Sequence, residues 1–261
     1  MIVDVERPVV LCLSGHDPGG GAGIQADIEA IAALGGHALA VITAHTVQDS
    51  SNVTRVTPAD ADLFEAQVDA LLADCKPQAL KIGLLGGAGQ VARVAATIRR
   101  AAVPVVLDPV LRAGGGAELA DEELIERMRR DLLPLVEILT PNAAEAHRLA
   151  PGAGNVEACG RALLALGARN VLITGGDEPG DPVVNHWFAG GRPPRHFAWP
   201  RLPGRFHGAG CTLAAAIAAL LARGLPAAAA VEDAQAYTQR TLARAFTPGR
   251  GRSIPGRLPR D

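Results

Sequence analysis

Lysine is almost missing from this chain: Lys76 and Lys81 are its only two, and arginine supplies the rest of its 25 basic residues. Beside the abundant alanine, that reads as coding bias and not as a functional stripe. The net charge of −2 gives no reason to expect a nucleic-acid partner or an anionic membrane. No apolar run approaches the roughly 18 residues of a membrane span, because charged residues, Gly or Pro interrupt each one. The N-terminal residues Met1–Arg7 carry acids and pass directly into an apolar run, so no signal peptide is expected. Paired cysteines are absent too. Cys12, Cys75, Cys159 and Cys211 are scattered, which supports neither a zinc site nor a disulfide framework and suits a reducing cytoplasm. Neither an internal repeat nor a linker is visible.

What remains is a hydrophobic chain, 48% apolar over 261 residues, large enough to bury a sizeable core. Short apolar runs at 8–14, 38–43, 79–85, 103–110, 136–140 and 171–174 read as buried strands. Helical patterns fall between them, at about 24–34, 61–73, 88–101, 121–133, 143–149 and 156–167. That alternation predicts βαβ units: a three-layer α/β/α domain with a mostly parallel central sheet covered on both faces. The more polar segment 183–200 reads as an antiparallel pair on the sheet edge, turning at Gly190-Gly191. Helices at 211–222 and 227–245 close a single domain over 1–247. Residues 248–261 show no apolar periodicity and read as an irregular or disordered arm.

Chemistry in open parallel sheets sits outside the carboxyl ends of the strands, so the polar residues that follow strands carry the interest. After the first run comes Ser14-Gly-His-Asp-Pro-Gly-Gly-Gly-Ala-Gly-Ile-Gln-Ala-Asp27. Its Gly21-Ala-Gly23-Ile-Gln-Ala26 lies too late after the strand for a dinucleotide fingerprint, and no Gly-Lys-Ser/Thr makes it a Walker A loop. It reads as a glycine loop that lets backbone lie against a small ligand. Asp27 is either a ligand contact or a first-turn acid complementing the helix dipole, and spacing favours the second. The second run is followed by Gln48, and the third ends in apolar Lys81-Ile-Gly-Leu-Leu85, where Lys81 should neutralise a neighbouring acid. The fourth ends in Asp108, a charge that needs a partner or a cation. In Thr140-Pro-Asn-Ala-Ala-Glu145, the Asn142 amide and Glu145 carboxylate share one face of a helix start. They could join a Mg²⁺ shell through water or act as a capping box, and the two are compatible.

The most informative stretch runs from Phe206 to Gly224. A Gly208-Ala209-Gly210 turn leads into an Ala/Leu helix, leaving unpaired backbone N–H groups at the positive end of the helix dipole. That makes either an anion site, with Cys211 in its first turn where the same field is expected to favour thiolate, or a plain tight turn before a buried helix with Cys211 as small core filler. These residues alone leave both open.

Together these motifs resemble the ribokinase-like superfamily, and within it the bacterial hydroxymethylpyrimidine/phosphomethylpyrimidine kinases of thiamine biosynthesis. The resemblance spans nearly the whole chain. It rests on Ser14–Asp27, Val41–Gln48, Lys81–Leu85, Leu107–Val110, Thr140–Glu145 and His207–Leu213. It implies that Gly15, Asp27, Gln48, Leu84 and Val110 contact the pyrimidine, and that Asn142, Thr174, Gly176 and Arg112 meet ATP. Asp108 and Glu145 would serve Mg²⁺. Gly208, Ala209 and Gly210 would form the anion hole, with Cys211 as base for the hydroxymethyl proton. A homodimer is expected from the resemblance alone. Two departures stand out. Relatives commonly carry Lys-Ser-Gly after the fourth strand, where this chain has Ala113-Gly-Gly-Gly116, and a Lys where it has Thr174. Both remove positive charge, and Arg112 is the nearest replacement in sequence. The rival expectations are a pyridoxal kinase of the same branch and a binding protein that has lost turnover.

Overall fold

The computed structural model describes residues 7–259, so the acidic N-terminal residues 1–6 lie outside it, as do 260 and 261. Nine strands form one sheet in the order β3-β2-β1-β4-β5-β6-β7-β8-β9. They are β1 (Val9–His16), β2 (His37–Gln48), β3 (Val53–Pro58), β4 (Ala79–Ile82), β5 (Val105–Leu107), β6 (Ile138–Leu139), β7 (Asn170–Ile173), β8 (Val183–Ala189) and β9 (Arg195–Trp199). The run from β2 to β7 is parallel. Antiparallel strands flank it, β3 on one edge and β8–β9 on the other. Strands β1, β4 and β5 are almost wholly buried, as expected where helices cover both faces of a parallel sheet.

Among the described residues the α-helices are α1 (Gly23–Ala33), α2 (Ala61–Asp74), α3 (Val91–Ala101), α4 (Glu122–Arg127), α5 (Ala143–Leu149), α6 (Val156–Ala165), α7 (Ala209–Ala222) and α8 (Ala227–Ala243). Alternate residues of each strand feed two cores. Leu11, Leu13 and Leu80 face one that includes α2 to α6, and Val10, Cys12 and Ala79 face one built on α1, α7 and α8. Helix α7 is buried on every side from Thr212 to Leu221. Its alanines let α1, α8 and the sheet approach it closely, which fixes where its N-terminus emerges. Among the described residues no helix is long and apolar enough to cross a membrane.

The structure corrects two boundaries and adds a strand. Strand β2 runs on to Gln48, so that residue sits at a strand end and not in a loop beyond it. Strand β3 had no apolar signal: it is a largely exposed edge strand whose Val53 and Val56 alone turn partly inward. The helix read over 121–133 ends as α4 at Arg127, continuing as a π turn over Met128–Leu132 and a 3₁₀ turn over Leu133–Leu135. Pro134 cannot donate to a regular α-helical ladder there.

Residues 248–259 have no ladder of their own beyond isolated bridges, Phe206 to Ser253 and Phe246 to Ile254. They are nonetheless threaded into the domain. Arg257 is 2% exposed, and its Nε donates to Thr212 Oγ1 at 2.8 Å while Nη1 meets Glu29 Oε2 at 3.0 Å. Arg257 also donates to the Gly21 carbonyl, tying the end of the chain to both the glycine loop and α7.

Candidate active site

Strand order reverses between β1 and β4, and the crevice outside their carboxyl ends opens into a cavity of about 650 Å³. Of the residues expected at the site, all but Asp27 line it. Gly15 and Leu84 pack against each other on the cavity wall, where a Cβ on Gly15 would come within 2.8 Å of Leu84 Cδ2. Gln48 and Val110 complete that end of the wall, and the Gln48 amide has no hydrogen-bond partner among the described residues. Residues from α8 line the far end, among them Gln235, Thr238 and Leu242, together with Trp199.

Asp27 lies in α1 but beyond its first turn, so neither sequence reading of it holds in the structure. It is fully buried behind the cavity, accepting from Ser14 Oγ at 2.5 Å and from Lys81 Nζ at 3.0 Å. Lys81 is the cation expected to neutralise a nearby acid, and Asp27 is that acid. Burial opposes the charge on Lys81, but Asp27, then Cys211 and Asp108, hold its proton firmly and raise its pKa.

The front of α7 forms the floor. Gly208 is the N-cap with φ 85°, in the left-handed region, and a Cβ there would strike the Gly21 carbonyl. Two glycine segments thereby pack backbone against backbone. The first N–H returned inside the helix is that of Thr212, to Gly208 O at 2.9 Å, which leaves those of Ala209, Gly210 and Cys211 facing the cavity. The neighbouring loop is braced by Asp17, missed in sequence. It accepts from Gly19 N at 2.8 Å, Ala22 N at 2.9 Å and His207 Nε2 at 2.7 Å. Burial pushes the Asp17 carboxyl up, but the His207 ring and the two amides together bring it below its usual value.

Cys211 departs from expectation. Burial, and after it the charge of Asp108, push its thiol up to about 12, outweighing Lys81 and the Gly23 amide beside the sulfur. The helix-start field does not win, because burial of the sulfur, and after it the charge of Asp108, weigh against thiolate. At neutral pH Cys211 is a thiol. Burial raises Asp108 as well, against the pull of Lys81, and its Oδ2 is buried without a hydrogen-bond partner.

Asn142 and Glu145 form a complete capping box on α5: Asn142 Oδ1 accepts from Glu145 N at 2.9 Å and Glu145 Oε2 from Asn142 N at 3.0 Å. Glu145 Oε1 accepts in addition from Leu111 N at 3.2 Å. Burial, then repulsion by Asp108, lift the Glu145 carboxyl to about 8. Two buried carboxylates, both raised by burial and one of them also by the other's charge, mark a place where a cation fits. Among the described residues, though, no group of three His, Cys, Asp or Glu side chains is arranged to enclose one. That donor set suits a hydrated Mg²⁺ arriving on nucleotide phosphates, not a dedicated cage. Arg112 lines the cavity but is engaged, donating to Gly116 O at 3.0 Å and lying 3.6 Å from Glu118.

An anion nest at a helix start, with a carboxylate and a thiol beside it in one cavity, suits a phosphotransferase of the ribokinase-like class. The chain belongs to the phosphomethylpyrimidine kinase family, whose model matches residues 17–255. It is 40% identical over 258 residues to the hydroxymethylpyrimidine/phosphomethylpyrimidine kinase of Synechococcus elongatus, covering 95% of this chain and 97% of that one. The fold is similar to that of Bacillus subtilis pyridoxal kinase in an ADP complex, with TM-score 0.88 and 28% identity over 95% of this chain and 97% of the other. Clostridium difficile phosphomethylpyrimidine kinase has TM-score 0.77 and 30% identity, over 89% and 98% of the two chains.

Proposed function

We propose that this chain transfers the terminal phosphoryl group of ATP to the hydroxymethyl oxygen of 4-amino-5-hydroxymethyl-2-methylpyrimidine, and then phosphorylates the resulting monophosphate to the diphosphate, steps of thiamine biosynthesis. The observation that carries this reading is the meeting, in one cavity, of the α7 nest, Cys211, Asp108 and the unpaired Gln48 amide. Phosphoryl transfer asks a protein mainly for positioning and charge stabilisation. Gly15, Gln48, Leu84 and Val110 hold the pyrimidine, and Asn142, Thr174 and Gly176 meet the nucleotide. The amides of Ala209, Gly210 and Cys211 face the charge that develops on the transferring group.

Cys211 begins as a thiol, so it accepts the hydroxymethyl proton only by passing its own to Asp108. The alcohol proton goes to sulfur and the thiol proton to the carboxylate, with sulfur unchanged overall. Lys81 behind them steadies the charge on both groups. Asp108 and Glu145 would hold Mg²⁺ through its water shell, and when bound that ion supplies neutralisation of the phosphate oxygens. The free cysteines among the described residues agree with a cytoplasmic location. A homodimer is the proposed assembly.

Pyridoxal phosphorylation is the second reading, favoured by the similarity to the B. subtilis enzyme, though at lower identity than the pyrimidine kinases. A coupled assay of ATP consumption with the alcohol, its monophosphate and pyridoxal separates the readings. Turnover of both pyrimidines is expected. ATP consumption with none of the three acceptors, or with pyridoxal in preference, would sink the proposal.

A further inference from the structure

Four arginines line the cavity, and two of them, Arg112 and Arg201, are engaged on main-chain carbonyls. Arg205 and Arg252 both line the cavity. Their backbones are joined, Ser253 N donating to Arg205 O at 3.0 Å. Several arginines outside the cavity pair with acids, as Arg100 does with Asp69 at 2.6 Å and Arg148 with Glu118 at 2.6 Å. Among the described residues neither the Arg205 nor the Arg252 guanidinium has a hydrogen-bond or ion-pair partner. The carboxylate that most attracts Arg252, Asp177, accepts instead from Asn142 Nδ2 at 3.2 Å. Burial, and the charge of Arg205 with it, oppose the proton on Arg252. A half-buried guanidinium with a second, exposed one lining the same cavity forms a site for an anion.

Position says which anion. The main-chain N of Arg252 donates to Ser50 O at 2.8 Å, and Gly251 N to Ser50 Oγ at 3.0 Å. Ser50 lies two residues past Gln48, so the arm is fastened to the wall that holds the acceptor. The guanidinium lies against Gly114, four residues past Val110 on that same wall, where a Cβ would overlap Arg252 Nη1. The group being transferred already has the amides of residues 209–211. We infer that Arg252, supported by Arg205, is the binding subsite for the phosphate of the phosphorylated acceptor, an assignment that rests on the kinase reading above. The C-terminal arm thus brings a free cation to the loop after β5, and Gly114 of that loop leaves room for it.

The test compares kcat/KM for the pyrimidine monophosphate with that for the alcohol, in wild type and in Arg252→Gln. The ratio of monophosphate to alcohol is expected to fall tenfold or more, and Arg252→Lys to recover part of it. Arg205→Gln, at an exposed position that tolerates change, should move the ratio the same way by a smaller factor. Calorimetric titration of Arg252→Gln with the monophosphate should show correspondingly weaker binding. A ratio that stays at the wild-type value, with both acceptors losing equally, would place Arg252 on ATP and overturn the assignment. So would a wild-type enzyme that phosphorylates the alcohol but not the monophosphate. Either result leaves the kinase reading standing, whereas wild type inert toward both acceptors removes that reading and this one together.

Discussion

Lys81 Nζ lies 2.9 Å from Asp27 Oδ1, and solvent reaches neither side chain. The pair is the foundation on which the cavity floor rests. Ser14 Oγ joins both, so the ends of β1 and β4 and the start of α1 are locked by one charged network. Its cation also acts outward, on Cys211 and Asp108.

Removing one partner strands the other in the interior. Lys81→Met should therefore cost about 3–5 kcal/mol of stability, far more than the roughly 1 kcal/mol ceiling of a surface pair. The double variant Lys81→Met/Asp27→Leu should recover much of that loss, since two apolar groups leave no orphaned charge. Denaturant unfolding measures both. A single-variant loss within the surface-pair range would show that water or backbone already compensates Asp27.

With its thiol raised to about 12, Cys211 should resist alkylation near neutrality. Iodoacetamide labelling followed by peptide mass spectrometry should show slow modification of Cys211 at pH 7 and a rate still climbing above pH 10. In Cys211→Ala, kcat should fall by about 10²-fold or more with the fold intact. Rapid labelling at pH 7 would restore the thiolate expected from the helix start and make the passage of a proton to Asp108 unnecessary.

How much of this was legible depended on whether the cause was local. Buried strands such as Val9–His16 announce themselves as apolar runs, and the glycines before α7 mark its exposed amides directly. Asn142 and Glu145 could be paired from spacing, and the capping box is there. The exposed edge strand β3 carried no such pattern. Nor could spacing show that Asp27 turns away from the cavity toward Lys81, 54 residues on. Arg252 was the least legible. Its place against Gly114 depends on an arm whose route is set by single contacts at Ser50, Arg205 and Phe246, none of them periodic. The Cys211 thiol was misjudged because the helix field is a sequence-local signal, while the burial of the sulfur and the charge of Asp108 near it are set by the fold.

Glu145 makes the protein's stability depend on pH in a definite direction. Its folded pKa, about 8, lies above its ordinary value of 4.5, so between those limits the folded state binds more protons than the unfolded. Its contribution is present in full below about pH 4.5 and is lost as pH rises through 8. Without Mg²⁺, the melting temperature should fall from pH 5 to pH 8, and Glu145→Gln, which cannot ionise, should flatten that fall. Thermal melts in metal-free buffer across the interval check the slope. An identical slope in the variant would mean that Glu145 titrates in its ordinary range.

Selectivity turns on Gln48. It closes β2 half-exposed on the cavity wall, its amide unpaired among the described residues. An aminopyrimidine presents an exocyclic N–H donor beside a ring-nitrogen acceptor, the edge pattern that one side-chain amide can meet at two points, as Gln does on adenine. Pyridoxal has no amino group beside its ring nitrogen, so part of the amide would be left unpaired, at a cost on the order of 1–3 kcal/mol. Hydroxymethylpyrimidine should therefore be favoured over pyridoxal in kcat/KM by roughly ten- to a hundred-fold or more. Gln48→Met, similar in length but unable to pair, should erase much of that preference by weakening the pyrimidine alone. Steady-state kinetics with both alcohols measures the ratio in each protein. Equal turnover by wild type, or a ratio that survives Gln48→Met, would transfer recognition to another part of the wall.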